Sequence, residues 1–124
     1  MDTNVALLGL TTPERLSLAI RTAAEQGPLY LSVVSYWEVL LKSMKGNLDV
    51  GDPRQWWTDT LEGFGATPLM LHAKHLSALY ELEPIHQDPF DRVLIAQAMV
   101  EEVTFLTLDG IIPKYSSPRF SVIS

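Results

Sequence analysis

Two kinds of apolar pattern alternate along the chain. Short, mostly continuous runs occur at LYLSVV (Leu29–Val34), TPLML (Thr67–Leu71) and VTFLTL (Val103–Leu108). They are bounded by turn signals, and the first and last are rich in β-branched or aromatic residues. Such runs suit strands buried on both faces of a parallel sheet. FSVI (Phe120–Ile123) reads as a last, edge strand. Between the runs lie stretches with helical spacing. The stretch from Thr12 to Gly27 opens with Thr12 as cap and Pro13 at the first helical position, carries Leu16, Ile20, Ala23 and Ala24 on one face, and stops at Gly27. A second helix runs from Ser35, a candidate cap, to Gly46. A third, GDPRQWWTDTLEGFG, starts on Asp52-Pro53, a shorter one follows at HAKHLSALYEL, and a last, DPFDRVLIAQAMVEE, starts on Asp88-Pro89. Strands alternating with helices predict an α/β fold with a mainly parallel sheet. No strand precedes MDTNVALLGL, which leaves three good strands and a weak fourth.

The chain has 124 residues, 47% of them hydrophobic, and shows no repeat, low-complexity segment or linker, so one compact domain over 1–124 is expected. Cysteine is absent, which excludes a disulfide framework and a thiolate metal site and fits a reducing cytoplasm. No apolar run approaches the ~20 residues that span a bilayer, and the start lacks the pattern of a signal peptide. The net charge of −6 makes the chain a poor non-specific binder of polyanions. A nucleic-acid substrate would require a bound divalent cation or a local basic patch to offset the repulsion.

Most of the acids fall on solvated helix faces, but a few positions stand apart. Asp109 follows VTFLTL at the carboxyl end of a predicted parallel strand, the edge where open α/β sheets bind ligands. Asp109-Gly110 is equally a good turn pair. Glu38 lies one turn into the helix after LYLSVV, in an apolar neighbourhood. Its alternatives are a capping box with Ser35 and an i,i+4 ion pair with Lys42. Asp88 is a good cap and Pro89 a good first residue, with Asp91 at the third position, where the helix dipole favours an acid. Asp52 performs the same capping without a second aspartate, so Asp91 is the better candidate for another task. Asp2, taken alone, reads as part of a fraying terminus.

Helices in a parallel α/β fold start at the edge where strands end, so Glu38, Asp91 and Asp109 can share one edge. Clustered carboxylates repel one another unless cations bind, and hard oxygen donors select Mg²⁺ or Mn²⁺. His72 and His75 are spaced i, i+3 and His86 lies farther on, with no third ligand to complete a zinc motif, so a structural role is expected of each. There is no glycine-rich phosphate loop and no serine nucleophile elbow.

MDTNVALL, LYLSVVSYWEVLLKSMKGNL and HQDPFDRVLIAQAMVEEVTFLTLDG stand in the order and spacing of PIN-domain proteins, and the chain resembles the VapC-type toxins of bacterial toxin–antitoxin pairs. Asp-Thr near the start, Ser-x-x-Ser-x-Trp-Glu, Asp-Pro-Phe-Asp-Arg and Thr-x-Asp are all matched, and the resemblance spans essentially the whole chain. It implies a three-layer α/β/α PIN-like fold with a mainly parallel central sheet, here lacking the first strand. It further implies a cytoplasmic Mg²⁺- or Mn²⁺-dependent endoribonuclease that cuts RNA with a metal-activated water. Asp2, Glu38, Asp91 and Asp109 match the family's acidic quartet, as catalytic residues and metal ligands. Thr3, Ser35 and Thr107 match the supporting polar positions, and Asp88 a less central acid. Lys42, Arg92 and His86 are candidate substrate contacts. The implied partners are an RNA substrate, a cognate VapB-like antitoxin and a second copy in a homodimer, with no membrane. Of the adjacent Trp56 and Trp57, one is expected to pack inward and the other is a candidate interface anchor, against the alternative that both serve packing.

Family members carry an apolar strand before the first Asp, whereas this chain begins Met-Asp. The expectation is an open slot in the sheet and either a natural start upstream or a weakened relative. The alternative function is therefore a catalytically impaired PIN-like module that acts by binding a partner. A receiver-type Mg²⁺ site ranks below both, since there is no Asp-Asp pair and Lys114 is poorly placed.

Overall fold

A computed structural model describes residues 1–85, 88–108, 112–115 and 120–124. The chain opens with helix α1 (Thr3–Gly9), a 3₁₀ turn at Pro13–Arg15 and helix α2 (Leu18–Gln26). Strand β1 (Leu29–Ser32) leads into α3 (Val33–Met44) and α4 (Pro53–Phe64). Strand β2 (Ala66–Leu69) is followed by α5 (Ala73–Glu81) and α6 (Pro89–Glu101), then by strand β3 (Phe105–Leu106), a 3₁₀ turn at Ile112–Tyr115 and strand β4 (Val122–Ile123).

The strands sit between two layers of helices, as the alternation of β3 makes plain. Phe105 packs with Val34, Leu94, Ile95, Ala98, Ile112 and Phe120 on one face, while Leu106 packs with Val5, Leu16, Ile20 and Leu29 on the other. Successive strand residues point to opposite faces, so two cores on two sides are the mark of a sheet covered twice. Helix α6 is buried for five consecutive residues, Leu94 to Ala98, more than one face of a surface helix allows. Helix α1 lies against α4 so closely that a Cβ on Gly9 would stand 2.1 Å from the Phe64 ring.

Helix boundaries follow local capping chemistry, and two of them differ from expectation. Asp52 and Asp88 cap α4 and α6 through their side chains, as predicted, and Gly65 ends α4 in the left-handed conformation at φ 62°. Thr12 makes no capping bond; the chain forms only a 3₁₀ turn at Pro13, and Ser17 caps α2 by accepting from the Ile20 N–H. Similarly Ser32, not Ser35, caps α3, accepting from the Val34 N–H, which draws the last residues of LYLSVV into the helix. Ser35 is thereby moved from the mouth of α3 to its inner face, where it is fully buried.

All described strand pairings are parallel, as expected for this class. Among the described residues they form two separate pairs, β1 with β2 and β3 with β4. Between the inner edges of β1 and β3 runs a slot of about 370 Å³, lined by Leu29, Tyr30, Ala98, Phe105 and Leu106 with Met1 at its end. The α-amino group of Met1 donates to Tyr30 O at 3.2 Å, and the Asp2 N–H donates to Leu106 O at 2.8 Å. Consecutive residues bonding to opposite sides is the behaviour of a strand between two others, so the slot is one strand wide. Residues joined ahead of Met1 in an extended conformation would enter it. An extension of continuously apolar, β-branched residues is expected to raise the melting temperature by at least about 4 °C, and a Gly-Ser extension of equal length to leave it unchanged. Equal melting temperatures for the two would show that the slot does not accept a strand.

Candidate active site

The site begins at Asp2, which is almost wholly buried and stands where α1 starts and β3 ends. Its Oδ1 accepts from the Val5 N–H at 2.8 Å and so caps α1. Its Oδ2 accepts from the Thr107 hydroxyl and from the Leu108 N–H at 3.2 Å. One carboxylate therefore ties the first helix to the carboxyl end of β3. Burial pushes the Asp2 carboxyl above the ordinary range, and the Thr107, Val5 and Leu108 donors together with the terminal amino group pull it partly back. Burial also lowers the Met1 amino group to about 6, partly opposed by the charge of Asp2.

Thr3 carries the site across to α3. Its Oγ1 lies 2.7 Å from Glu38 Oε1, to which it donates, and 3.0 Å from Ser35 Oγ. Thr3 has a single hydroxyl proton, so the Ser35 hydroxyl supplies the proton of the second bond. Glu38 is buried, and its Oε2 takes Lys42 Nζ at 2.6 Å, an i,i+4 pair along α3. The Lys42 side chain is itself half exposed. The Glu38 hydrogen bond raises the Lys42 pKa, more than desolvation lowers it, and the charges of Glu38, Asp88 and Asp91 add to the rise. Lys42 thus lies in the field of acids from both α3 and the start of α6.

Asp88 serves as cap, accepting from the Phe90 and Asp91 N–H groups at 2.9 and 3.4 Å. Asp91 follows in the first turn, partly buried. The structure therefore brings together Asp2, Thr3, Ser35, Glu38, Lys42, Asp88, Asp91 and Thr107 at the edge where β1 and β3 end. Arg92 instead sends its guanidinium to Leu82 O at 3.3 Å, in the connection before α6. Asp109 and His86 lie outside the described residues.

The donor set is oxygen only and its charge converges on a cation, which suits a hard divalent ion in kind. Among the described residues no three acids or histidines are grouped closely enough to hold one as they stand. The half-exposed Lys42 ammonium is the cation drawn to Glu38.

Behind the site a polar chain crosses the core. The Ser32 hydroxyl donates to Gln97 Oε1, and Gln97 Nε2 donates to Met70 O at 3.3 Å and approaches His75 Nδ1 at 3.5 Å. His75 Nδ1 accepts from the His72 N–H at 3.0 Å, which leaves the proton on Nε2, 2.7 Å from Glu101 Oε1. Fully buried, His75 fastens α5 to α6, the structural role expected of it. Both Trp56 and Trp57 are partly buried, and Trp57 stacks on Tyr36 at 4.9 Å. The exposed tryptophan is Trp37, next to Glu38; its place one residue before the acid, 100° around the helix, was the available signal.

Parallel strands between helical layers, with buried acids gathered where the strands end, define an α/β fold of the kind that binds ligands at its carboxyl edge. The family model for the PIN domain matches residues 1–117, and the chain belongs to that family. Its fold is similar to that of a chain in the crystal structure of VapBC2 from Rickettsia felis bound to a DNA fragment from their promoter, with a TM-score of 0.67 and 14% identity over 98% of this chain and 93% of that one. No curated protein matches it by sequence. No helix among the described residues is long and apolar enough to cross a membrane.

Loss of the Thr107 hydroxyl removes one donor from a buried carboxylate. Thr107→Val is expected to cost about 1–3 kcal/mol at neutral pH. Because the Asp2 pKa is raised, its charged form is the costly one in the folded state, and the stability it contributes falls as pH rises through that pKa. The deficit of the variant should therefore shrink as Asp2 becomes protonated, which urea titrations from acid to neutral pH will read. A deficit independent of pH would place the effect elsewhere.

Proposed function

We propose that this protein is a metal-dependent endoribonuclease, the toxin of a type II toxin–antitoxin pair. The reading rests chiefly on one observation: Asp2 and Glu38, distant in sequence, are buried together through Thr3, with Asp91 close enough for its charge to act on the same lysine. Membership of the PIN family supports it. Asp2, Glu38 and Asp91 would hold Mg²⁺ or Mn²⁺, with Asp109 as the fourth acid of the quartet. The bound ion supplies a lowered pKa for a water molecule and positive charge toward a phosphate oxygen. Thr3, itself bonded to Ser35, orients Glu38, while Thr107 and the Leu108 N–H orient Asp2. Lys42, released from Glu38, is suited to a phosphate. RNA as substrate comes from the family resemblance, as do a cytoplasmic setting and a homodimer. A VapB-like antitoxin as partner draws on the same resemblance and on the likeness to a chain of a VapBC2 complex.

The second reading is a catalytically impaired PIN-like module that acts by partner binding alone.

Cleavage of a labelled RNA pool separates the two. With Mn²⁺ the chain should cut, and EDTA or Asp91→Asn should stop it. Ser35→Ala, which removes only a support of Glu38, should reduce the rate by about 10–100-fold. Folded protein that cuts nothing with Mn²⁺ would favour the binding module. Independently of cleavage, Mn²⁺ should raise the melting temperature, and by more as pH rises above the ordinary carboxylate range. Protons compete with the ion for Asp2, whose raised pKa keeps it protonated longer.

A further inference from the structure

Trp37 is 52% exposed, on the turn of α3 that also carries Glu38. Its ring meets Phe90 edge-to-face, with centroids 5.0 Å apart and planes at 78°. Phe90 stands between Pro89 and Asp91 in the first turn of α6. The two rings therefore bridge the helices that bring Glu38 and Asp91 to the site. Phe90 reaches down to the core cluster around Leu94, while Trp37 keeps about half its surface in solvent. The other aromatic pair of α3 is different: Tyr36 and Trp57 stack nearly parallel, at 7°, and both are partly buried. Covering Tyr36 with Trp57 secures α3 to α4, whereas the contact of Trp37 with Phe90 leaves half of the indole in solvent beside the acids.

We propose that Trp37, backed by Phe90, is a stacking subsite for an unpaired nucleobase next to the phosphate presented to the acids. This rests on the ribonuclease reading and adds to it how an acidic chain holds RNA. With a net charge of −6, non-specific attraction to phosphates away from the site is weak. Stacking on an aromatic face needs no charge, tolerates any base and is available only where bases are unpaired. An indole is a large platform, and its edge-to-face contact with Phe90 restricts its orientation. The subsite therefore selects single-stranded segments over duplex, with little preference among bases.

The test is equilibrium binding of a short labelled single-stranded oligoribonucleotide to the full chain, in EDTA so that nothing is cut, followed by fluorescence anisotropy. Trp37→Ala should weaken binding about tenfold (about 1.4 kcal/mol), and Trp37→Phe should keep most of it. An oligonucleotide with abasic sites should bind the unaltered chain and Trp37→Ala equally. Tryptophan emission should be quenched by the intact oligonucleotide, and the quenching should largely vanish in Trp37→Ala. Binding unaffected by Trp37→Ala, absent from the unaltered chain, or equally weakened for the abasic strand would overturn the proposal. So would a Trp37→Ala chain that holds RNA normally but loses a partner protein, which would make the pair a protein interface. Failure of the ribonuclease reading gives a different result: base-dependent binding through Trp37 with no cleavage when Mn²⁺ is added.

Discussion

The carboxylate of Asp2 joins three things that the chain holds far apart. It closes the start of α1, it receives two donors from the end of β3, and through its neighbour Thr3 it is coupled to Glu38 on α3. Burying a carboxylate is costly unless its lone pairs are satisfied, and here the Val5 N–H, the Leu108 N–H and the Thr107 hydroxyl satisfy them. These donors come from separate elements, so the cost of leaving any one unmet keeps the elements in register. The position of α1 on the sheet, and of the polar site above it, follows from that requirement.

The same region contains the slot between β1 and β3. Among the described residues these strands belong to separate pairs, and the bonds from Met1 to Tyr30 and from Asp2 to Leu106 tie the start of the chain to each. The site therefore sits at the mouth of an open slot. Support for Glu38 comes from the helical side, through Thr3 and Ser35, and does not depend on the slot. Support for Asp2 comes in part from β3, whose other edge is held by β4. Asp2 is thus anchored to the end of β3, and Glu38 to α1 and α3.

Much of this was legible in the sequence because strong local signals agreed with tertiary needs. Asp52-Pro53 and Asp88-Pro89 are caps in the sequence and caps in the structure. The alternation of buried runs with amphipathic stretches is the α/β/α layering itself, and the β1 and β3 runs fall inside the predicted segments. Where local signals competed, tertiary contacts decided. Ser32 and Ser35 are both plausible caps for α3; placing Ser35 on the inner face lets it meet Thr3, so Ser32 became the cap. Thr12-Pro13 has the form of a helix start, but Ser17 offers the hydroxyl to an N–H of α2 and the earlier turn stays 3₁₀. For the site, the carboxylates stood out by position, whereas the bond from Thr3 to Glu38 spans 35 residues and no local pattern encodes it. The tryptophans show the same limit. Trp56 and Trp57 are the conspicuous pair in the sequence, yet α4 turns Trp57 onto Tyr36 and the exposed indole is Trp37.

The double use of Asp2 carries one more consequence. The carboxylate that caps the beginning of α1 through Oδ1 is also the one that the proposed function offers to an ion. An ion bound there would draw on the same acceptor as the Val5 N–H of the first turn. On that reading the first helix would be thermodynamically linked to ion binding, and its amide exchange and spectroscopic signals would report it.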